Sequence, residues 1–266
     1  SNKIFMNIND FNKPTDKLIR ICGVSKKFAN KVVLDNVSLE INTGEVLVII
    51  GQSGCGKSVL LKHIIGLLKP DAGEIYFEDK KINDLDESEL YNVRKQIAMV
   101  FQSAALFDSM SVYQNIAFAL FEHYKYPETK LKEIVAESLA LVNLSNTENY
   151  MPSELSGGMR KRVGIARAIA FKPRLLLYDE PTTGLDPITS DVINNLIIDL
   201  NQKFKTTSII VTHDMTSAYK IADRIAMLYK GKIICVDSVD NIKNSDNPIV
   251  HQFINGLANG PITDVD

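Results

Sequence analysis

EVLVIIGQSGCGKS, residues 45–58, reads as an apolar run closed by a glycine-rich turn that ends on lysine and serine. Residues 46–50 are Val, Leu, Val, Ile and Ile, a stretch of strand length whose unbroken apolarity fits burial on both faces of a sheet. The turn after it has the spacing Gly51-x-x-x-x-Gly56-Lys57-Ser58 and opens a helix, the context that a phosphate-binding loop requires. Main-chain N–H groups there form an anion nest at a helix N-terminus, Lys57 reaches the β- and γ-phosphates, and the Ser58 hydroxyl is a ligand for Mg2+. Gly51, Ser53, Gly54, Cys55, Gly56, Lys57, Ser58 and Val59 are therefore the expected nucleotide contacts. A glycine turn that happens to precede a helix is the plain alternative; the strand, the lysine and the serine together argue against it.

Outward from this loop, residues 18–24, 32–41, 45–50 and 74–77 read as short strands broken by turn signals such as KPDAG (69–73), with one helix over about 56–68. Between 85 and 144 the pattern turns mostly helical, with Leu131, Ile134, Val135, Leu139 and Val142 on one face. Strand character returns in RLLLYDE (174–180), followed by a helix carrying Ile188, Val192, Ile193, Leu196, Ile197, Leu200 and Phe204, and then the strand TTSIIVTHD (206–214). Strand and helix in alternation imply right-handed crossovers and a parallel sheet. The expected fold class is α/β: a P-loop NTPase core with a mainly parallel sheet, an N-terminal antiparallel β subdomain and an inserted α-helical subdomain. The expected division is one nucleotide-binding domain over 1–245, with 1–98 and 166–245 forming the core and 99–165 the helical part, and a tail over 246–266 that contacts a second copy or a partner. Ile249, Val250, Phe253, Ile254 and Leu257 of that tail share one helical face.

The chain has 266 residues, 45% hydrophobic and 23% charged, with a formal net charge of -2. That balance builds a core and leaves no basic footprint, so nucleic acid is not an expected partner. Cys22, Cys55 and Cys235 are odd in number, widely spaced and without a metal-ligand pattern, which fits a reducing compartment. No run approaches the ~20 apolar residues of a membrane-spanning helix, and no signal peptide is visible. Any membrane-spanning part is expected to belong to other chains.

LLLYDE (175–180) ends a second buried strand on two carboxylates. Asp179 suits coordination of Mg2+, directly or through a neighbour, and Glu180 suits orienting and deprotonating a water, the division of labour that nucleotide hydrolysis needs. An exposed acidic turn before Pro181 is the bland reading. A further stretch, SELSGGMRKRVGIARAIA (153–170), opens an amphipathic helix on Leu-Ser-Gly-Gly. Two glycines in succession cost about 1 kcal/mol each against alanine inside a helix, so access to the backbone matters more here than helix propensity.

Leu155-Ser156-Gly157-Gly158-Met159, Gln102 in MVFQS, TTGLDP (182–187) just beyond Glu180, and His213 in VTHD occur in the order found in ATP-binding-cassette ATPases, and the chain resembles that family over about 18–237. The resemblance implies a composite site, in which the signature of one subunit covers the nucleotide held by the phosphate loop of a second. Ser156, Gly157 and Gly158 would then form a second anion nest, whose bare amides hold the γ-phosphate from the opposite side. It further implies that His213 contacts the γ-phosphate as a switch, that Gln102 senses Mg2+ and the attacking water, and that Asp186 communicates between the two sites. Phe28 stands where the family stacks an aromatic ring on adenine, with a core phenylalanine as the alternative; it replaces the more usual Tyr, and Met159 replaces the usual Gln. The resemblance thus assigns catalysis to Glu180, His213, Gln102 and Lys57, metal binding to Ser58, Gln102 and Asp179, and gives ATP and Mg2+ as substrate and cofactor.

FQSAALFDSMSVYQNIAFAL (101–120), MPSELSGGMRKRVGIARAIA (151–170) and NPIVHQFINGLANGP (247–261) resemble one branch, the ATPases of Mce/Mla-type phospholipid transporters. That branch implies a homodimer driving two membrane permease subunits, an Mce-domain lipid-binding protein, a small regulatory subunit, and a place on the cytoplasmic face of the bacterial inner membrane. An importer ATPase for amino acids or metals, a soluble non-transport cassette and a degenerate regulatory cassette are the other readings. Leu106, Phe107 and Met110 are expected either to dock a permease helix or to fill the core of the helical part. Arg160, Lys161 and Arg162 are read as a solvated helix surface, and His63, His123 and His251 as surface or packing residues. Cys55 is expected to make ATP binding sensitive to thiol oxidation.

Overall fold

The computed structural model describes residues 17–263; the parts of the expected domain and tail at 1–16 and 264–266 lie outside the described residues. Two long strands, β1 (Lys17–Phe28) and β2 (Lys31–Asn42), form a hairpin and lead into β3 (Val46–Ile50). Helix α1 (Lys57–Ile64), β4 (Ala72–Phe77), β5 (Lys80–Lys81), α2 (Glu87–Arg94) and β6 (Ile97–Val100) follow. Three helices come next, α3 (Val112–Tyr124), α4 (Glu128–Leu141) and α5 (Gly157–Ile169). The chain then alternates through β7 (Leu175–Asp179), α6 (Pro187–Phe204), β8 (Thr207–Thr212), α7 (Met215–Ile221) and β9 (Arg224–Tyr229), and finishes with β10 (Lys232–Ser238), α8 (Val239–Lys243) and α9 (Pro248–Asn255).

The strands form two sheets. An antiparallel sheet runs β2-β1-β4-β5, and a six-stranded sheet runs β10-β9-β3-β8-β7-β6. The latter is parallel from β9 to β6, with β10 antiparallel at its edge. Alternation along each central strand sends its side chains into two cores. Val46, Val48, Ile50, Leu176, Tyr178 and Ile210 face the core shared with α3–α6, while Leu47, Ile49, Leu175, Leu177, Ile209 and Val211 face α1, α2 and the antiparallel sheet. The six-stranded sheet is thus covered on both faces, which is why its central strands read as unbroken apolar runs.

Three departures from the sequence reading have physical causes. Strand β6 lies in the stretch expected to be mostly helical: four residues, Ile-Ala-Met-Val, are too short to show a period and are held as a strand by β7. Strands β9 and β10, not anticipated, complete the other end of the sheet. The expected boundary at 98/99 therefore cuts β6, and the one at 165/166 cuts α5. Val112, Ile116, Leu131 and Val135 of the helical part lie in the same apolar cluster as the sheet residues Val48 and Leu176.

In the tail, Val250 is buried and Ile249, Phe253 and Ile254 pack on the chain's own core, while Leu257 stays exposed. Gln252, also buried, bonds the Leu257 carbonyl, the Ile262 N–H and the Thr263 hydroxyl at 2.7–3.1 Å. Of the apolar stripe expected to face a second copy, Val250 is thus buried within the chain, Ile249, Phe253 and Ile254 are half-buried and Leu257 is exposed. Among the described residues no helix is long and apolar enough to cross a membrane.

Candidate active site

Parallel strands bring their C-terminal ends to one edge, the usual place for a ligand in such sheets. Strand β3 delivers the phosphate loop, β7 ends on Asp179 and is followed by Glu180, β8 is followed by His213, and β6 is followed by the loop carrying Gln102. Gly56 caps α1 with φ 108°, and a Cβ there would meet the Val33 carbonyl at 2.9 Å. The β1–β2 hairpin thus braces the loop from behind and leaves only glycine admissible at that position.

Lys57 is buried, and its Nζ donates to the carbonyls of Gly51 at 2.8 Å and Gln52 at 3.1 Å. The same ammonium stands 3.6 Å from Glu180 Oε1. The Ser58 hydroxyl donates to Asp179 Oδ1 at 2.7 Å. Glu180, also buried, places Oε2 2.9 Å from His213 Nδ1 and accepts from the Thr183 hydroxyl at 3.1 Å. Its backbone is left-handed, φ 49°, with its N–H donated to the Val211 carbonyl at 2.9 Å. Left-handed backbone is uncommon for a residue with a side chain and recurs at functional sites. Lys57, Ser58, Asp179, Glu180 and His213 are thus gathered in one cluster, as the sequence reading expected of their positions.

A second group forms around the N-termini of α5 and α6. Ser156 caps α5 by accepting from Met159 N–H at 3.2 Å, and Asp186 caps α6 by accepting from the Ile188 and Thr189 N–H groups, each at 3.0 Å. These bonds, with the Thr189 hydroxyl foremost, hold the Asp186 carboxyl below its usual range. A Cβ on Gly157 would sit 3.5 Å from Leu185 Cδ2, whereas one on Gly158 would strike Thr189 Cγ2 at 2.5 Å. Gly158 therefore has a reason the sequence did not disclose: it lets α5 pack on α6 within the same chain. Gly157 is exposed and agrees with an accessible amide.

Of two further expected residues, Gln102 joins the first cluster only indirectly, through Lys161, and Phe28 makes no contact with it. Gln102 is exposed, and its carbonyl accepts from Lys161 Nζ. Phe28, at the end of β1, is 44% exposed, so it is not a core residue, and Lys26 Nζ lies 5.6 Å from its ring centre. Of the remaining loop contacts, Ser53 and Gly54 are exposed while Cys55 and Val59 are half-buried. Burial pushes the Cys55 thiol up, with the Lys57 charge opposing. That runs against the expected oxidation sensitivity, because the thiolate is the reactive form.

The basic run is a solvated surface only in part, with Lys161 buried. Arg160 is exposed but donates to the Leu155 carbonyl at 3.1 Å, Arg162 donates to the Asn143 carbonyl at 3.1 Å, and Lys161 is buried against Gln102 and Glu180. His63 is buried as well, its Nδ1 2.7 Å from the Val59 carbonyl, and burial lowers its pKa. Thr183 was not singled out from sequence; its place three residues beyond Glu180 was the available signal.

Ser58 and Asp179 supply two hard oxygen donors at the sheet edge. Among the described residues no cluster of three or more His, Cys, Asp or Glu side chains could hold a metal unaided. The pair therefore fits a cation such as Mg2+, which takes its other ligands from phosphate and water.

A model described as ABC transporter matches residues 34–183. The chain belongs to the ABC transporter family. Membership makes it an ATPase subunit of a transporter, with ATP as substrate and Mg2+ as cofactor. Among its relatives, the probable ribonucleotide transport ATP-binding protein Mkl of Mycobacterium leprae is 41% identical over 253 residues, 95% of this chain and 73% of that protein. The intermembrane phospholipid transport system ATP-binding protein MlaF of Escherichia coli K12 is 41% identical over 245 residues, 92% of this chain and 91% of that protein. Among solved structures, the dimeric post-hydrolysis state of the ATP-binding cassette MJ0796, bound to ADP and Pi, superposes with a TM-score of 0.77 at 34% identity, over 83% of this chain and 98% of that one. The ABC fold expected from the phosphate loop outward is thus the fold observed.

Proposed function

We propose that this ABC ATPase hydrolyses ATP in sites shared by two copies and drives permease subunits that move phospholipid. The observation that carries the reading is that two groups are distinct within one chain: Lys57 and His213 meet Glu180 and Ser58 meets Asp179, while Gly157 and Gly158 face Leu185 and Thr189. A head-to-tail pair places the second group of one copy over the first of its mate, as the dimeric MJ0796 cassette encourages.

In this arrangement the amides of Gly51–Ser58 and the Lys57 ammonium hold the β- and γ-phosphates. Glu180 accepts a proton from water, oriented by His213 at 2.9 Å and Thr183 at 3.1 Å from the same oxygen. Ser58, Asp179 and the Gln102 side chain are the residues assigned to the cation, which when bound neutralises phosphate charge. The partner copy's signature supplies bare amides, Asp186 links the two sites, and Phe28 offers its exposed ring to adenine. Leu106 packs inward, whereas Phe107 is 48% exposed beside a groove of ≈ 360 Å³ lined by Met110, Tyr113, Phe118 and Phe121. That groove is the surface we assign to the permease.

Phospholipid as cargo, an Mce-domain partner, a small regulatory subunit and the cytoplasmic face of a bacterial inner membrane all rest on likeness to MlaF, which covers nearly its whole length. The name of Mkl points instead to ribonucleotide. Copurification with the membrane subunits and extraction of bound lipid separates the two, since recovered phospholipid is expected and ribonucleotide-stimulated turnover without lipid would favour the other cargo. For the mechanism, Glu180→Gln should lower kcat by at least about 100-fold while keeping MgATP affinity and accumulating a dimer on sedimentation. Lys57→Ala should weaken MgATP binding by about 10- to 100-fold. Near-normal turnover in the glutamine variant would remove Glu180 as the base.

A further inference from the structure

Lys161 lies in the second turn of α5 and is 6% exposed. Burying an ammonium is costly unless its donors are satisfied, and here they turn to two main-chain carbonyls, those of Gln102 and, at 3.3 Å, Glu180. Burial lowers the lysine's pKa, opposed by the charges of Glu180 and Asp179. An apolar side chain at this site would pack without that cost, so the ammonium's contribution lies in what it holds.

On one side it holds the Gln102 loop, and it does so with help. Six residues further along α5, Arg167 donates to the carbonyls of Ala104 at 2.7 Å and Ala105 at 2.8 Å, both left-handed residues with φ 62° and 46°. Between them, Gly164 lets the Ala104 methyl approach to 3.2 Å from where a Cβ would stand. The loop is riveted along the helix that begins with the signature. On the other side Lys161 shares the carbonyl of Glu180 with the Thr183 N–H, each at 3.3 Å, and the Glu180 N–H is fixed to β8 through Val211. The peptide plane that follows Glu180 is thus held jointly by the turn to Thr183 and by α5, and with it the aim of the side chain between Lys57 and His213.

We propose that Lys161 is a positioning residue for hydrolysis, tying the signature helix and the Gln102 loop to the backbone of Glu180 so that the carboxylate is aimed only when α5 is in place. This rests on the assignment of Glu180 as the base. Lys161 touches none of the reacting atoms; it acts through Glu180.

The test is steady-state ATPase and MgATP binding on the full chain. Lys161→Met keeps the stem and removes the donors, and should lower kcat roughly 10- to 100-fold, the scale of a small misplacement of a catalytic group, with the Kd for MgATP within about twofold of wild type. Lys161→Arg, which restores donors, should recover most of the loss. In a Glu180→Gln background the methionine substitution should cost almost nothing further, because the group it aims is already gone. Wild-type kcat in Lys161→Met, a parallel loss of nucleotide affinity, failure of arginine to rescue, or multiplicative losses in the double variant would each overturn the proposal. If Lys161→Met does not fold, Lys161→Leu, which also lacks donors, is judged by the same criteria. Failure of the base assignment appears separately, as normal turnover in Glu180→Gln alone.

Discussion

Glu180 meets three neighbours through one carboxylate and two more through its own peptide groups, all from a left-handed backbone. Such over-determination keeps an uncommon conformation populated. Cys55 sits nearby under a different balance: burial raises its thiol pKa, so at neutral pH its thiolate fraction falls below that of an ordinary cysteine. Peroxide at neutral pH should therefore inhibit wild type and Cys55→Ser to the same extent, measured as residual ATPase; selective protection of the serine variant would contradict this. Lys57, Glu180 and His213 were legible as residues because each follows an apolar strand, and a strand end is where a parallel sheet displays its ligand-binding groups. Lys161 was not, because its burial depends on loops 59 and 19 residues away, and a run of three cations reads as surface until those loops are in place.

Elements packed against one another explain Gly158 better than helix propensity does. A methyl there meets Thr189 Cγ2 at 2.5 Å, and overpacking of that kind costs about 1–3 kcal/mol. Gly158→Ala should lower unfolding free energy by about that amount in denaturant titration, and by clearly less in a Thr189→Ser background, where the hydroxyl bonded to Asp186 is kept and the methyl is gone. Equal destabilisation in both backgrounds would assign the glycine to backbone freedom instead. At this scale β3, β7 and β8 were legible from unbroken apolarity, whereas β6 was hidden by its length, since four residues carry no period. Ile249, Val250, Phe253 and Ile254 of the tail stripe do share a helix, while Leu257 lies past its Gly256 cap; their packing on the chain's own core lay beyond periodicity, which says that a face is apolar and not what covers it.

Across the whole molecule, two cores cover opposite faces of the six-stranded sheet, whose C-terminal edge carries one bonded half of a site while α5 and α6 carry the other. The motif order marked the family; the distribution of contacts within one chain adds the physical ground for expecting a pair. The direct measurement is ATPase rate per chain and molecular mass read on the same samples across a dilution series in MgATP. The rate is predicted to follow the fraction of chains that are paired. Full-rate turnover at a dilution where the mass is that of a single chain would contradict the account.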